Sequence, residues 1–579
     1  MIIFLKILRF IVINSVAIGI YFGTSWWMLS GADDAPSLTP NMVMVELDAL
    51  LPGIQEEGIL ALDELGVIEL DHNPIYEEGV IYMPIAFVES HFNDDFYWDQ
   101  EEKVLTYTSV NDVIRLRTDE LTYYVNDQPL TLQIPIREMV EGVPYMPLEF
   151  LKKFTHHDFD YYDAPGTLIV RDLSQNHTYV KVLPSVGDYA VVRTWKDSQS
   201  TIVRKLAKDE TLTVIDDDSI WMSVRTAEGL MGYVLTSEVG DQVTEAGVAA
   251  VEEVYDYSTR MTFEGGLNLA WHYVGNTTAN KYLADKLEGV HGLDVISPTW
   301  FHIKDAEGHV SNVADINYVR KAHDLGIQVW ALFSNQFDAS LTHDVLSSTA
   351  GRENLIRELL ALSALYEVDG LNVDFENVAK ADGDYFVQFM KELTPYFKKQ
   401  DLVVSVDMYV PSAWTAHYGR EEVGEVVDYV MIMAYDEHWS SSPKSGSVAS
   451  IDFVERGITE TLKEVPKEKT VLGLPFYTRR WTEELVDGEI TVKSKAYGMD
   501  AGYKAMSEKG VEFVWLDDIK QYYGEYEEDG LTYKMWLEEE RSIEEKVKLL
   551  EKYGLAGTAG WQVGLENDAT WDVLDAYLK

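Results

Sequence analysis

The sequence predicts a multidomain protein whose C-terminal half is an α/β barrel of the (β/α)8 type. Three observations carry that expectation. The chain has 579 residues, too many for one hydrophobic core and enough for three or four domains. From Gly265 onward, apolar strands alternate with amphipathic helical patterns over roughly 300 residues, the rhythm of repeated strand–helix units. The fourth of these strands reads Val368-Asp369-Gly370-Leu371-Asn372-Val373-Asp374-Phe375-Glu376-Asn377, an apolar strand that closes in acids.

That strand sets the functional question. Alternate side chains of an extended strand share a face, so Asn372, Asp374 and Glu376 point the same way. Polar groups buried on one face of an apolar strand are costly unless they are paired or line a site. The eight strands read as Leu267–Tyr273, Val295–Phe301, Gln328–Ser334, Gly370–Glu376, Val403–Tyr409, Tyr429–Tyr435, Thr470–Tyr477 and Thr558–Gln562. Barrels of this type carry their chemistry at the C-terminal strand ends. Glu376 ends the fourth strand, Met433-Ala434-Tyr435-Asp436 the sixth, and Gly560-Trp561 the eighth. Residues 480–536 are too long for one strand–helix link and read as an α+β insertion after the seventh strand.

The N-terminal half divides differently. In residues 1–31, Lys6 and Arg9 precede an uncharged run from Phe10 to Leu29, and Asp33 and Asp34 follow it. The run is long enough to span a bilayer as a transmembrane helix, and the charge order places the body outside. A signal peptide cleaved near Ser30-Gly31-Ala32 is the alternative. Residues 42–173 hold an α+β repeat domain. Gly79-Val80-Ile81-Tyr82-Met83-Pro84 returns as Gly142-Val143-Pro144-Tyr145-Met146-Pro147, an offset of 145 − 82 = 63 residues. Residues 178–240 show short strands at Tyr179–Leu183, Tyr189–Thr194, Ile202–Leu206, Thr211–Ile215, Trp221–Arg225 and Gly232–Leu235, the spacing of a small all-β barrel.

Composition excludes several functions. With 98 acids against 47 bases the formal charge is −51, which argues against nucleic acid and anionic lipid surfaces as partners. There is no cysteine, so disulfides, thiolate metal sites and cysteine nucleophiles are excluded. His91, His156 and His157 are the histidines of the repeat region closest to a metal pattern, and adjacent histidines in polar segments are more often solvated. No metal and no cofactor are expected.

Asp369-x-x-Asn372-x-Asp374-x-Glu376 resembles the Asp-x-x-Asp-x-Asp-x-Glu signature of glycoside hydrolase family 18, with Asn372 in place of the middle Asp. Met433-Ala434-Tyr435-Asp436 resembles the family's Met-x-Tyr-Asp element, and Trp561 stands where the family has a tryptophan beneath the reacting sugar. The resemblance covers residues 260–579. It implies hydrolysis of β-linked N-acetylglucosamine glycans, with Glu376 as proton donor and the substrate's own 2-acetamido group as nucleophile. It also implies that Asp374 and Tyr435 orient that amide. Asp436, Trp561, Asn372, Asp369 and Met433 are the implied sugar-binding residues. Asn372 is expected to hold Asp374 by a hydrogen bond. Trp300, Trp330, Trp414, Trp439, Trp481 and Trp536 are candidate stacking platforms or core residues. The 63-residue repeat resembles the copper amine oxidase N-terminal-like repeat, a name that implies no copper. Trp221 with Gly229-Leu230-Met231-Gly232-Tyr233-Val234 resembles the bacterial Src-homology-3-like domain. Together these imply a membrane-anchored cell-wall hydrolase acting on peptidoglycan. Chitin-type oligomers are the rival substrate, and a chitinase-like carbohydrate-binding protein without turnover is the rival function.

Overall fold

The computed structural model describes residues 40–51, 59–93, 95–140, 142–183, 189–249, 263 and 265–579. The expected anchor in residues 1–31 lies outside the described residues. Among the described residues no helix is long and apolar enough to cross a membrane.

The C-terminal half forms eight parallel strands: β1 (Leu267–His272), β2 (Val295–Ile303), β3 (Gln328–Ser334), β4 (Gly370–Asp374), β5 (Val403–Tyr409), β6 (Tyr429–Met433), β7 (Thr470–Pro475) and β8 (Gly557–Trp561). Each lies within two residues of its expected span. Neighbours pair in register around the ring, and β1 pairs with both β8 and β2, which closes the barrel. Alternation then sorts the side chains. On β4, Leu371 and Val373 pack outward in the large cluster that the surrounding helices cover. The opposite face points into the barrel, whose lower interior is filled by Leu267, Leu269, Trp330, Val403, Tyr429 and Val471. Gly370 belongs to this packing, because a Cβ there would stand 2.9 Å from the Trp330 indole and 2.8 Å from the Val403 carbonyl oxygen.

The insertion after β7 is a five-stranded antiparallel sheet built from Tyr477–Val486, Glu489–Gly498, Val514–Leu516, Gln521–Glu528 and Leu531–Leu537, with one helix, Met499–Ser507. Its Trp481 is fully buried and donates to the Gly446 carbonyl at 2.8 Å, tying the sheet to the loop after β6.

The chain separates into two compact units, and their boundaries cut the repeat region. Residues 75–155 belong with the barrel, whereas the described residues before Ile75 and residues 156–249 form the other unit. The two repeat strands meet as antiparallel partners, Tyr145 opposite Pro84 and Pro147 opposite Tyr82. Pro84 and Pro147 each stand at the N-cap of the helix that follows, as a fixed φ favours. In the other unit, the six expected short strands are present with small shifts, joined by Val243–Glu245 in a seven-stranded sheet. Its end strands, Ile202–Leu206 and Val243–Glu245, do not pair with each other. Val243–Glu245 takes the free edge of His177–Lys181, and Val180, Met222, Val234 and Leu206 from across the sheet pack in one core.

The 75–155 segment is docked on two barrel helices, α1 (Thr349–Tyr366) and α2 (Gly383–Lys399). Asp99 accepts from the Thr349 backbone N–H at 3.0 Å, and Glu102 from the Ala350 N–H at 3.2 Å. Both acids therefore satisfy open donors at the N-terminus of α1, where the helix dipole favours negative charge. Beside them, the fully buried Glu392 of α2 receives Arg115 at 2.9 Å on one oxygen and Arg352 at 3.0 Å on the other. Burial raises the Glu392 pKa, but the two guanidiniums outweigh it and hold the group below its ordinary range. Removing the carboxylate would strand two buried cations. Glu392→Ala should cost about 3–5 kcal/mol, read as a lower urea midpoint by tryptophan fluorescence. An unchanged midpoint would show that the arginines find solvent.

Candidate active site

The polar ends of the inner strand faces converge in a cleft of about 1070 Å³ at the C-terminal mouth of the barrel. β4 and β5 build its floor in three layers. Asn372 faces Ser405 at the bottom, the two being register partners. Asp374 and Asp407 come next, and Glu376 and Tyr409 lie uppermost, each two residues further along its strand.

Asn372 is fully buried and uses its whole amide. Its Oδ1 accepts from the Trp271 indole at 2.8 Å and from the Ser297 hydroxyl at 3.2 Å. Its Nδ2 donates to Ser405 Oγ at 3.1 Å and to Asp407 Oδ1 at 2.8 Å. An indole N–H can only donate, so the oxygen must face Trp271 and the NH2 must face Asp407. This corrects the expectation that Asn372 holds Asp374. Residues two apart on a strand stand nearly 7 Å apart along it, whereas β5 is the hydrogen-bonded neighbour.

Asp374 is buried, and its Oδ1 has no hydrogen-bond partner among the described residues. Burial, then the charges of Asp407 and Glu376, hold its pKa well above the ordinary carboxylate range. Burial likewise pushes Asp407 up to about 8, against the donated hydrogen bond from Asn372. Glu376 is partly open to the cleft. Burial raises its pKa, the hydrogen bond from Tyr409 lowers it, and Asp436 raises it again. Tyr409 Oη donates to Glu376 Oε2 at 2.5 Å. Asn335 holds the Glu376 backbone from the other side, donating to its carbonyl at 2.7 Å and accepting from its N–H at 3.1 Å. Three carboxyl groups in so little water cannot all ionise, so the cluster retains a proton near neutrality.

Tyr435 and Met433 enter the cleft from β6, and Trp561 from β8. Gly473 leaves room for the Tyr435 ring, since a Cβ there would stand 3.2 Å from it. Asp436 follows with a left-handed backbone, φ 54°, and accepts from Tyr477 at 2.5 Å and Arg479 at 3.3 Å. Trp271 and Trp561 approach with ring centres 6.0 Å apart.

Asp369 does not belong to the cleft. It precedes β4 at the opposite end of the barrel, where it accepts from the Val329 N–H at 2.9 Å and binds His323 at 2.7 Å. Of the candidate tryptophan platforms, Trp414 and Trp439 line the cleft, 70% and 50% exposed. Trp300, Trp330 and Trp481 are fully buried core residues, and Trp536 packs against Tyr523 in the insertion. Asp407, Tyr409 and Asn335 were missed in the sequence. The first two had a readable signal, because Ser405-x-Asp407-x-Tyr409 repeats on β5 the polar alternation that marked β4. Among the described residues, the one group of three side chains close enough to hold a metal is Asp305, Glu307 and His309. There Asp305 already binds His309 at 2.8 Å.

The buried trio makes stability fall with pH. An unfolded Asp titrates near ~3.9, so between about pH 4 and 8 the folded chain keeps a proton on Asp407 that the unfolded chain has lost. Stability should then fall by up to ~1.4 kcal/mol per pH unit across that window. Asp407→Asn should flatten this slope, measured as urea midpoints at about pH 5, 7 and 9. A mutant with the wild-type slope would place the proton elsewhere.

Known proteins match the same regions. Residues 271–566, just over half of the chain, match the model of glycosyl hydrolases family 18. Residues 65–170 match the copper amine oxidase N-terminal domain. An uncharacterized glycosylase of Bacillus subtilis (strain 168), YvbX, is 23% identical over 54% of this chain and 93% of its own length. The cortical fragment-lytic enzyme of Bacillus anthracis is 23% identical over 42% of this chain and 57% of its own. The chain spans little more than half the length of several curated relatives it matches. The crystal structure of the Bacillus cereus spore cortex-lytic enzyme SleL shares the fold, with a TM-score of 0.50 at 19% identity over 59% of this chain and 78% of that one. The match over 271–566, on a closed eight-stranded barrel whose acids gather at the strand ends, shows that the chain belongs to glycosyl hydrolase family 18.

Proposed function

We propose that the protein hydrolyses β-linked N-acetylglucosamine glycans, peptidoglycan in preference to chitin, with the substrate's acetamido oxygen as nucleophile. The observation that carries this reading is the unpartnered, buried Oδ1 of Asp374 beside a protonatable Glu376. A buried carboxylate oxygen without a donor is costly, and an acetamido N–H entering the cleft supplies one. Glu376, raised in pKa and open to the cleft, protonates the leaving oxygen. As that bond breaks, the acetamido carbonyl closes on the anomeric carbon, and the amide acquires positive charge. Asp374 accepts from its N–H, Tyr435 donates to its oxygen, and Trp561 offers an apolar face to the sugar. Asp407 lies a layer below Glu376 and is committed to Asn372, so it serves as the proton reservoir of the cluster, not as a second nucleophile. Asn372 acts as a positioning residue. The peptidoglycan preference rests on the cortex-lytic relatives.

Glu376→Gln should lower turnover by at least ~10²-fold while sugar binding persists, because the amide keeps the shape but cannot donate a proton to the leaving group. Asp374→Asn should damage kcat more than binding, since its contact strengthens as the amide becomes charged. Oligosaccharides with a free 2-hydroxyl or 2-amine at the cleaved sugar should not turn over. The first product should carry the β configuration. Release of the α anomer would overturn the mechanism.

The charge pattern of residues 1–34 supports an exported body held by an uncleaved helix over Phe10–Leu29. Full-length protein should then sediment with membranes and resist high-salt washing. A soluble mature form beginning near Asp33 would instead identify a cleaved signal peptide.

A further inference from the structure

One cation in this cleft has no counter-charge. Of the residues lining it, only His302 and Arg456 have basic side chains. Burial holds His302 below the usual imidazole range, and its ring bonds Ser334 at 2.8 Å, so it stays neutral. Arg456 sits on helix α3 (Ile451–Thr461), with its guanidinium 5.4 Å from the centre of the Phe453 ring. Both residues line the cleft. Among the described residues, the Arg456 guanidinium makes no ion pair and no hydrogen bond. Elsewhere in the same structure Arg115, Arg352, Arg420 and Arg479 each meet a carboxylate, whereas Arg480, like Arg456, rests on aromatic rings without one. The neighbouring acids of the rim are committed elsewhere. Asp436 is held by Tyr477 and Arg479, and Glu437 accepts from the Ser450 N–H at 2.9 Å.

The place of Arg456 limits what it can meet. α3 packs against the loop after β5, where a Cβ on Gly457 would stand 3.0 Å from Val410. The loops after β5 and β6 carry Trp414 and Trp439, the two exposed tryptophans that line the cleft. A guanidinium resting on an aromatic ring keeps its planar fork of donors free, and that fork matches a carboxylate. We propose that Arg456 forms an anion subsite that takes a carboxylate carried by the glycan, of the kind a muramic-type sugar bears on its 3-O-lactyl ether. The tryptophans take the apolar sugar faces while Arg456 reads the acid. Chitin has no such group. This inference rests on the peptidoglycan reading and makes Arg456 its specificity determinant.

The test compares kcat/KM of wild type, Arg456→Gln and Arg456→Lys on three substrates. These are peptide-free glycan strands with free lactyl carboxylates, the same strands with those carboxylates methylamidated, and neutral N-acetylglucosamine oligomers. In wild type, rising salt should reduce the preference for free carboxylates over methylamidated strands. Arg456→Gln should lower the ratio of free-carboxylate to neutral turnover about tenfold, and Arg456→Lys should recover part of it. Methylamidation should lower wild-type kcat/KM to a similar degree and add little to Arg456→Gln, as expected when both changes break one contact. Strands that keep peptide stems locate the anion, because their lactyl group is an amide and only stem carboxylates remain. Arg456 dependence on these strands alone would move the contact to the peptide and overturn the lactyl assignment. A wild-type enzyme that cleaves glycan strands while Arg456→Gln leaves the ratio unchanged would overturn the Arg456 subsite and leave the peptidoglycan reading standing. A wild-type enzyme that turns over only the neutral oligomers would overturn both.

Discussion

Closing eight strands into a barrel leaves an inner face with no solvent along most of its depth, so any polar side chain placed there must find its partners inside. Asn372 meets that constraint, and the floor of the site depends on it. Its amide binds four groups from β1, β2 and β5, so one side chain fixes the relative positions of Trp271, Ser297, Ser405 and Asp407. An ionised Asp at this position would face Asp407 with like charge and supply no donor to it. With asparagine, the bottom layer is neutral and fully bonded, and the charge is confined to the two layers above.

Those layers behave as one titrating system. Burial raises Asp374, Asp407 and Glu376 together, and charge on Glu376 raises both aspartates further. The floor therefore keeps a proton near neutrality. Tyr409 works in the opposite direction on Glu376, its hydroxyl favouring the carboxylate, while Asn335 holds the Glu376 backbone in place. The acid is thus fixed by its main chain on one side and its carboxylate on the other, which limits the reorganisation needed when the proton moves.

A second buried charge system lies outside the site. Glu392 between Arg115 and Arg352, with Asp99 and Glu102 at the start of α1, makes residues 75–155 part of the barrel's own packing. The segment that looks like a separate module covers charges on α1 and α2 that the barrel would otherwise expose or leave unpaired. Since α1 precedes β4 and α2 follows it, this docking fixes the two helices on either side of the strand that carries the acids.

Periodicity and spacing determined much of this protein from the sequence alone. The eight strands were legible because a strand covered on both faces must be apolar, and the inward direction of Asn372, Asp374 and Glu376 was legible because strand alternation is strictly local. The strand-end positions of Tyr435, Asp436 and Trp561 followed from the same reading. What the sequence left undecided were pairings between strands. Whether Asn372 would bind Asp374 or Asp407, whether Asp369 would reach the cleft, and which tryptophans would be platforms depend on register and on what packs opposite. Asp369 stands at the other end of the strand from Asp374 and, five residues away, on its opposite face. Trp330 and Trp414 are equally aromatic, but one lies above Gly370 in the barrel and the other on an open loop. Local pattern decides which way a side chain points; only closure of the barrel decides what it meets there.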